Sequence, residues 1–190
     1  MKKLLLLLFL GFTLVGFSQT TLIPNSNFEQ ALIDLGIDTA PIDGSVPTAN
    51  ISSITSLEVY NNNITELTGI EDFTALTFLE CGDNPLTSLD VSNNTALEYL
   101  YCYSNQLTSL DVSNNTALIT LYCDSNQLTS LDVSNNSALI YLVCFNNQLT
   151  SLDVSANSAL EFLNCKSNQL TSLDFSNNPA LTVLFCGTNQ

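Results

Sequence analysis

Six cysteines punctuate this chain at a fixed interval. Cys81, Cys102, Cys123, Cys144, Cys165 and Cys186 lie 21 residues apart throughout, and the sequence has no others. So short and regular a period points to a stacked array, in which each repeat is one small unit that buries its apolar face only against its neighbours. Residues 86–106 read LTSLDVSNNTALEYLYCYSNQ, and four near-copies follow as far as Gln190. Two more divergent turns occupy residues 51–85.

Each unit has two similar halves. One runs through Leu97, Leu100, Cys102, Asn105 and Leu107, and the other through Leu107, Leu110, Val112, Asn115 and Leu118. In the first half Leu100 and Cys102 alternate with Tyr99, Tyr101 and Tyr103, the two-residue period of a strand with one buried face. Stacking such strands in parallel at ~4.8 Å turns every position of the repeat into a column.

The pattern L-x-x-L-x-L-x-x-N-x-L resembles the leucine-rich-repeat signature, with cysteine in the third apolar place, over residues 51–190. Residues 64–76, ITELTGIEDFTAL, resemble the 22-residue repeats of bacterial internalins, and the LTSLDVSNN units resemble the 21-residue repeats of secreted Bacteroidetes surface proteins. The resemblance implies a leucine-rich-repeat solenoid with a parallel sheet on its concave face, an irregular or short-stranded convex side, and a helical N-terminal cap. It also implies a binding module and an asparagine ladder along the turns.

Ahead of the array, residues 25–36 read as a helix. Asn25 or Ser26 suits its start, Phe28, Leu32 and Leu35 share a face, and Gly36 suits its stop. Residues 37–50, with Pro41, Gly44 and Pro47, read as a loop. Together residues 19–50 make the expected cap. Residues 1–18 have the grammar of a signal peptide: Lys2 and Lys3, an apolar run from Leu4 to Val15, and small residues before a cleavage between Ser18 and Gln19. That run falls short of the ~20 residues of a membrane span, so the chain is expected to be secreted or at the cell surface without membrane insertion after cleavage. The exported chain then carries 18 acidic residues against one lysine, a formal charge of −17. Nucleic acid and anionic lipid would both be repelled.

Four inward or convex columns read as structure. The cysteines point inward with the leucines as buried thiols, since parallel neighbours would have to twist to form disulfides. Asn62, Asn84, Asn105, Asn126, Asn147, Asn168 and Asn189, with Asn94, Asn115, Asn136, Asn157 and Asn178 opposite, can satisfy turn donors and acceptors. Asp90, Asp111, Asp132, Asp153 and Asp174 form a convex, solvated row, and one carboxylate per turn is a poor calcium cage. No metal site or cofactor is expected.

The outward strand columns break the monotony of the repeat. They hold Tyr60, Phe78, Tyr99, Tyr101, Tyr103, Tyr122, Tyr141, Phe145, Phe162, Lys166 and Phe185, including all six tyrosines. Aromatic side chains on a solvent face mark a contact surface, and these residues are the candidate ligand-binding set. Tyr99, Tyr101, Tyr103, Tyr122 and Tyr141 are expected to form its centre, with substitution of Tyr101 and Tyr122 hardly affecting folding. Catalysis is not expected: the exported chain lacks His and Arg, and Glu58 with Glu80 is the only suggestive acid pair. A protein ligand is the expected partner, with a glycan-binding or spacer role as alternatives. Because Gln190 closes a repeat with no covering element, the natural protein is expected to continue, or this end to be covered by a partner.

Overall fold

The computed structural model describes residues 19–190, so the leader assigned to residues 1–18 lies outside the described residues. Strand β1 (Thr20–Leu22) leads into helix α1 (Ser26–Asp34). Asn25 is the cap, its side-chain oxygen accepting the N–H groups of Asn27 and Phe28 at 3.1 and 2.9 Å. Gly36, at φ +71°, takes the left-handed turn that ends the helix. Phe28, Ala31 and Leu32 are buried, and Phe28 stacks on Phe73 at 6.3 Å. Leu35, expected on the same face, is instead exposed, because it sits at the helix C-cap beyond the covered stretch.

The segment expected as a loop contains two short elements, β2 (Ser45–Pro47) and α2 (Thr48–Ile51). β2 pairs antiparallel with β1, with Thr21 opposite Val46. Val46 is fully buried, which a loop reading based on Pro and Gly alone does not foresee. Pro47 lies at the end of this strand, where its missing N–H breaks no ladder. Buried Glu29 braces the bend, accepting the N–H of Gly44 at 2.8 Å and that of Asp43.

From there the described chain winds into parallel turns. β3 (Ser56–Glu58), β4 (Phe78–Glu80), β5 (Tyr99–Tyr101), β6 (Thr120–Tyr122), β7 (Tyr141–Val143), β8 (Phe162–Asn164) and β9 (Val183–Phe185) pair in sequence order. The register aligns Leu57, Leu79, Leu100, Leu121, Leu142, Leu163 and Leu184 in one inward column. The opposite side is irregular, with one isolated bridge between Asp90 and Asp111 and a single 3-10 turn at Ile70–Asp72.

The asparagines behind the strands do what the turns require. Asn126 donates from its amide nitrogen to the carbonyls of Cys102, Cys123 and Asp124 at 3.0–3.1 Å. Its oxygen accepts Leu107 N–H at 3.0 Å, so one side chain ties its own turn to the one before. Asn84, Asn105, Asn147 and Asn168 repeat the pattern. The convex column is satisfied only in part. Asn136 donates to Val112 and Asn115 carbonyls, but the side-chain oxygens of Asn94, Asn115, Asn136, Asn157 and Asn178 have no hydrogen-bond partner among the described residues.

The convex aspartates are more than solvated. Asp90, Asp111, Asp132, Asp153 and Asp174 each accept the N–H of the serine two residues on, at 2.8–2.9 Å, closing a small turn. These bonds to serine hold each carboxyl below its ordinary value of 3.8, in spite of neighbouring carboxylates at Asp90, Asp132 and Asp174.

All six cysteines are free thiols. Cys81, Cys102, Cys123, Cys144 and Cys165 are fully buried, whereas Cys186 is exposed, which corrects the expectation of six core thiols. No turn stacks over the last one among the described residues, and Phe185 is likewise half exposed. Burial pushes the Cys81 thiol up to about 12 and Cys165 to about 11, and drives the three between them well above 9.0.

Two outcomes follow from this packing. A thiol reagent should modify Cys186 in the native chain while the other five react only on unfolding, as peptide mapping of alkylated protein will show. The aspartate turns set an acid limit. Above 3.8 the row is ionised in folded and unfolded chains alike and its contribution is complete. Below that value the unfolded chain takes up protons first, so melting temperature should fall as pH drops through the depressed native values, and Asp111→Asn with Asp132→Asn should blunt the fall.

Candidate functional site

The outward face of the sheet is built by register alone. Ser56, Phe78, Tyr99, Thr120, Tyr141, Phe162 and Val183 line up as one column, and Glu58, Glu80, Tyr101, Tyr122, Val143, Asn164 and Phe185 as the next. Beyond the strands the ladder runs on. The N–H groups of Asn61, Asp83, Ser104, Ser125, Asn146 and Ser167 donate to the carbonyls of Gly82, Tyr103, Asp124, Phe145, Lys166 and Gly187. A third column, Tyr60, Gly82, Tyr103, Asp124, Phe145, Lys166 and Gly187, is thereby held in step. The donating residue of each bond has φ between 51° and 56°, a left-handed turn that swings the chain off the sheet.

The expected aromatic centre divides into two patches. Phe78 meets Tyr99 at 6.2 Å and Tyr101 at 5.4 Å, and Tyr101 meets Tyr122 edge-on at 4.9 Å. Further along, Phe162 lies between Tyr141 and Phe185, at 6.2 and 5.9 Å. Tyr141 thus belongs to the second patch rather than to the expected cluster, because Thr120 and Val143 intervene at the in-register positions. Those two are buried although they point outward, covered by their larger neighbours. The rings are therefore packed on one another, so that losing Tyr101 and Tyr122 should carry a small cost in stability besides any effect on binding. Each ring pair is worth about 0.5–1.5 kcal/mol beyond its buried area.

Tyr103 also leaves the expected cluster. It leans back over Gly82, where a Cβ would stand 2.6 Å from its ring, so only glycine leaves room for it. Its hydroxyl donates to a carboxylate oxygen of Glu80 at 2.9 Å. The Glu58 and Glu80 pair, in register across β3 and β4, is accordingly unequal, with Glu80 half-buried and tied to a phenol and Glu58 exposed. Burial, then the bond to Glu80, pushes the Tyr103 phenol up to about 12. Tyr101 is raised too, by burial and by Tyr122 and Glu80. Tyr60, at the start of the third column, and Lys166, one turn before its end, are exposed, and Phe145 is half-buried.

Sequence reasoning passed over Asp124. It occupies the third outward column between Tyr103 and Phe145 and is only 8% exposed, unlike the convex aspartates. Its place as the one carboxylate in a column of rings, glycines and a single lysine was the available signal. Among the described residues no group of three or more His, Cys, Asp or Glu side chains is arranged to hold a metal. No helix among them is long and apolar enough to cross a membrane.

No family model matches the chain. Over 44 residues it is 46% identical to internalin J of Listeria monocytogenes, a stretch of 23% of this chain and 5% of that protein. Among solved structures, the functional domain of InlJ from Listeria monocytogenes, which includes a cysteine ladder, matches with a TM-score of 0.63 and 34% identity. That match covers 91% of this chain and 48% of the other, so this chain spans under half of the InlJ domain. The leucine-rich-repeat protein LIC12759 of Leptospira interrogans matches with a TM-score of 0.72 and 27% identity, over 76% of this chain and 40% of that one.

The Tyr103–Glu80 contact has a spectroscopic consequence. A near-UV titration should show a phenol ionising at about 12, and Tyr103→Phe should remove that step. Because the native value lies above the ordinary 10.0, its stabilisation is complete below 10.0 and lost as pH rises toward 12. Tyr103→Phe should flatten that part of the alkaline stability profile.

Proposed function

Since the chain is a leucine-rich-repeat solenoid with internalin-like features, we propose that it is a binding module that engages a protein through the aromatic outer face of its parallel sheet. The observation that carries this is the contrast between faces. The convex side repeats Ser-Leu-Asp nearly unchanged, whereas the sheet face gathers Phe78, Tyr99, Tyr101 and Tyr122 into one contiguous ring patch and Tyr141, Phe162 and Phe185 into another. A spacer has no use for that difference. Rings already packed against one another lose little freedom when a partner arrives, which favours affinity.

Export follows in the same reading from residues 1–18, whose basic start and apolar run fit a signal peptide, and places the module outside the cell or on its surface. A non-enzymatic role fits the face itself. Glu80 is engaged by Tyr103, and the grooves between convex turns, such as that lined by Ser88, Asp90, Ser109 and Asp111, bring together serines and aspartates with no histidine to activate them.

The test is capture of a binding protein by the chain, with affinities measured for variants on both faces. Tyr101→Ala with Tyr122→Ala should weaken the captured partner by roughly 2 kcal/mol or more, as hot-spot loss does. The same pair should lower melting temperature slightly, through the lost ring contacts, so affinities are to be read well below the transition. Asp111→Asn with Asp132→Asn should leave binding intact. Loss from the convex pair, with retention after the tyrosine pair, would put the site on the other side of the solenoid. A glycan array run in parallel decides the ligand class, and a hit there that is lost with the tyrosine pair would replace protein by sugar.

A further inference from the structure

Asp124 is a carboxylate in an unusual place. On its face of the sheet it stands one turn from Tyr103 and one turn from Phe145, held in step by Ser104 N–H to Asp124 O and Ser125 N–H to Phe145 O, both at 2.9 Å. Its side chain accepts the hydroxyl of Ser125 at 3.3 Å, a long contact. Tyr103 does not help it, because that hydroxyl is donated to Glu80. The single basic residue of the described chain, Lys166, lies two turns further along the column, about 10 Å along the axis. Loss of water at Asp124, with a smaller repulsion from Asp83, raises its carboxyl from its ordinary value in spite of the bonds from its own backbone N–H and from Ser125. The charge is thus poorly solvated and without a cation at hand.

We propose that Asp124, framed by Tyr103 and Phe145, is the anchor for a basic side chain, an arginine first and a lysine second, presented by a protein partner docked on the sheet face. This rests on the binding role proposed above and adds the chemistry of the partner. Charge complementarity selects the occupant. The chain carries 18 acidic residues against three basic ones, and Glu80 and Asp83 stand on the turn before Tyr103, so the potential over this face favours a cation and disfavours an acidic segment. The flanking rings suit the same occupant. A guanidinium lies flat on an aromatic face while donating in a fork to a carboxylate, and its aliphatic stem covers apolar surface. A neutral sugar supplies no charge to match. A pair formed here is stronger than one in open solvent because the carboxylate is already desolvated before the partner arrives.

The test uses a displayed library of random dodecapeptides selected on the whole chain, with recovered peptides synthesised and their Kd values measured. Arginine or lysine should be enriched among them. Asp124→Asn, which keeps the shape and removes the charge, should weaken them roughly 30-fold or more, while Asp132→Asn on the convex side changes nothing. Replacing the key arginine by citrulline in the peptide should produce the same loss on the unaltered chain, so the result does not depend on the variant folding. Peptides that need Tyr101 and Tyr122 but tolerate both Asp124→Asn and citrulline overturn the anchor and leave the binding face standing. Recovery of no peptide, or only of peptides indifferent to the sheet-face variants, overturns the anchor together with the wider reading.

Discussion

A strand of three residues cannot hold a turn in place, and in this solenoid the asparagine side chains behind the strands do much of that work. Asn126 reaches carbonyls of its own turn and of the turn before, and receives an N–H in return. Each bond is worth about 1 kcal/mol net, yet a missing side chain would leave several buried backbone groups unpaired at about 1–3 kcal/mol each. The ladder therefore sets the register with little tolerance, and register decides everything above it. A slip of one residue would carry Leu121 to the outside and Tyr122 to the core.

The cysteines occupy one inward position of the repeat. A thiol is small and weakly polar, so it fills the space beside the leucines without asking for a hydrogen bond. Burial suppresses the thiolate, which makes these groups inert as nucleophiles while they are covered. Cys186 shows the converse. It has the same place in the repeat, and it is exposed because no turn lies above it among the described residues. Chemical character along this column is conferred by the neighbour rather than by the residue.

On the outer face the side chains proposed for recognition also pack on one another. Tyr101 touches Phe78 and Tyr122, so the rings order one another. Gly82 lets Tyr103 lie across the sheet, and Tyr103 in turn holds Glu80. The result is a face with apolar patches at fixed positions and one desolvated carboxylate between them. A convex side stitched by aspartate turns supports this arrangement without varying from repeat to repeat.

Much of this was legible from residue order, because in a stacked solenoid the position in the repeat is the position in space. The 21-residue period determined the parallel sheet, the inward leucines and cysteines, both asparagine columns and the side on which the aromatics stand. The N-terminal segment was read less well: its helix follows from Asn25 and Gly36, but the pairing of Thr20–Leu22 with Ser45–Pro47 is a single long-range contact that no repeat announces. The orientations on the sheet face were also decided only in three dimensions. Whether a tyrosine joins Phe78, lies over Gly82 or packs on Phe162 depends on the size of the side chain one turn away, 21 residues distant in sequence. Asp124 is buried and Asp111 exposed for a like reason: the first stands in its column between Tyr103 and Phe145, the second in the convex row between Asp90 and Asp132, tied to Ser113.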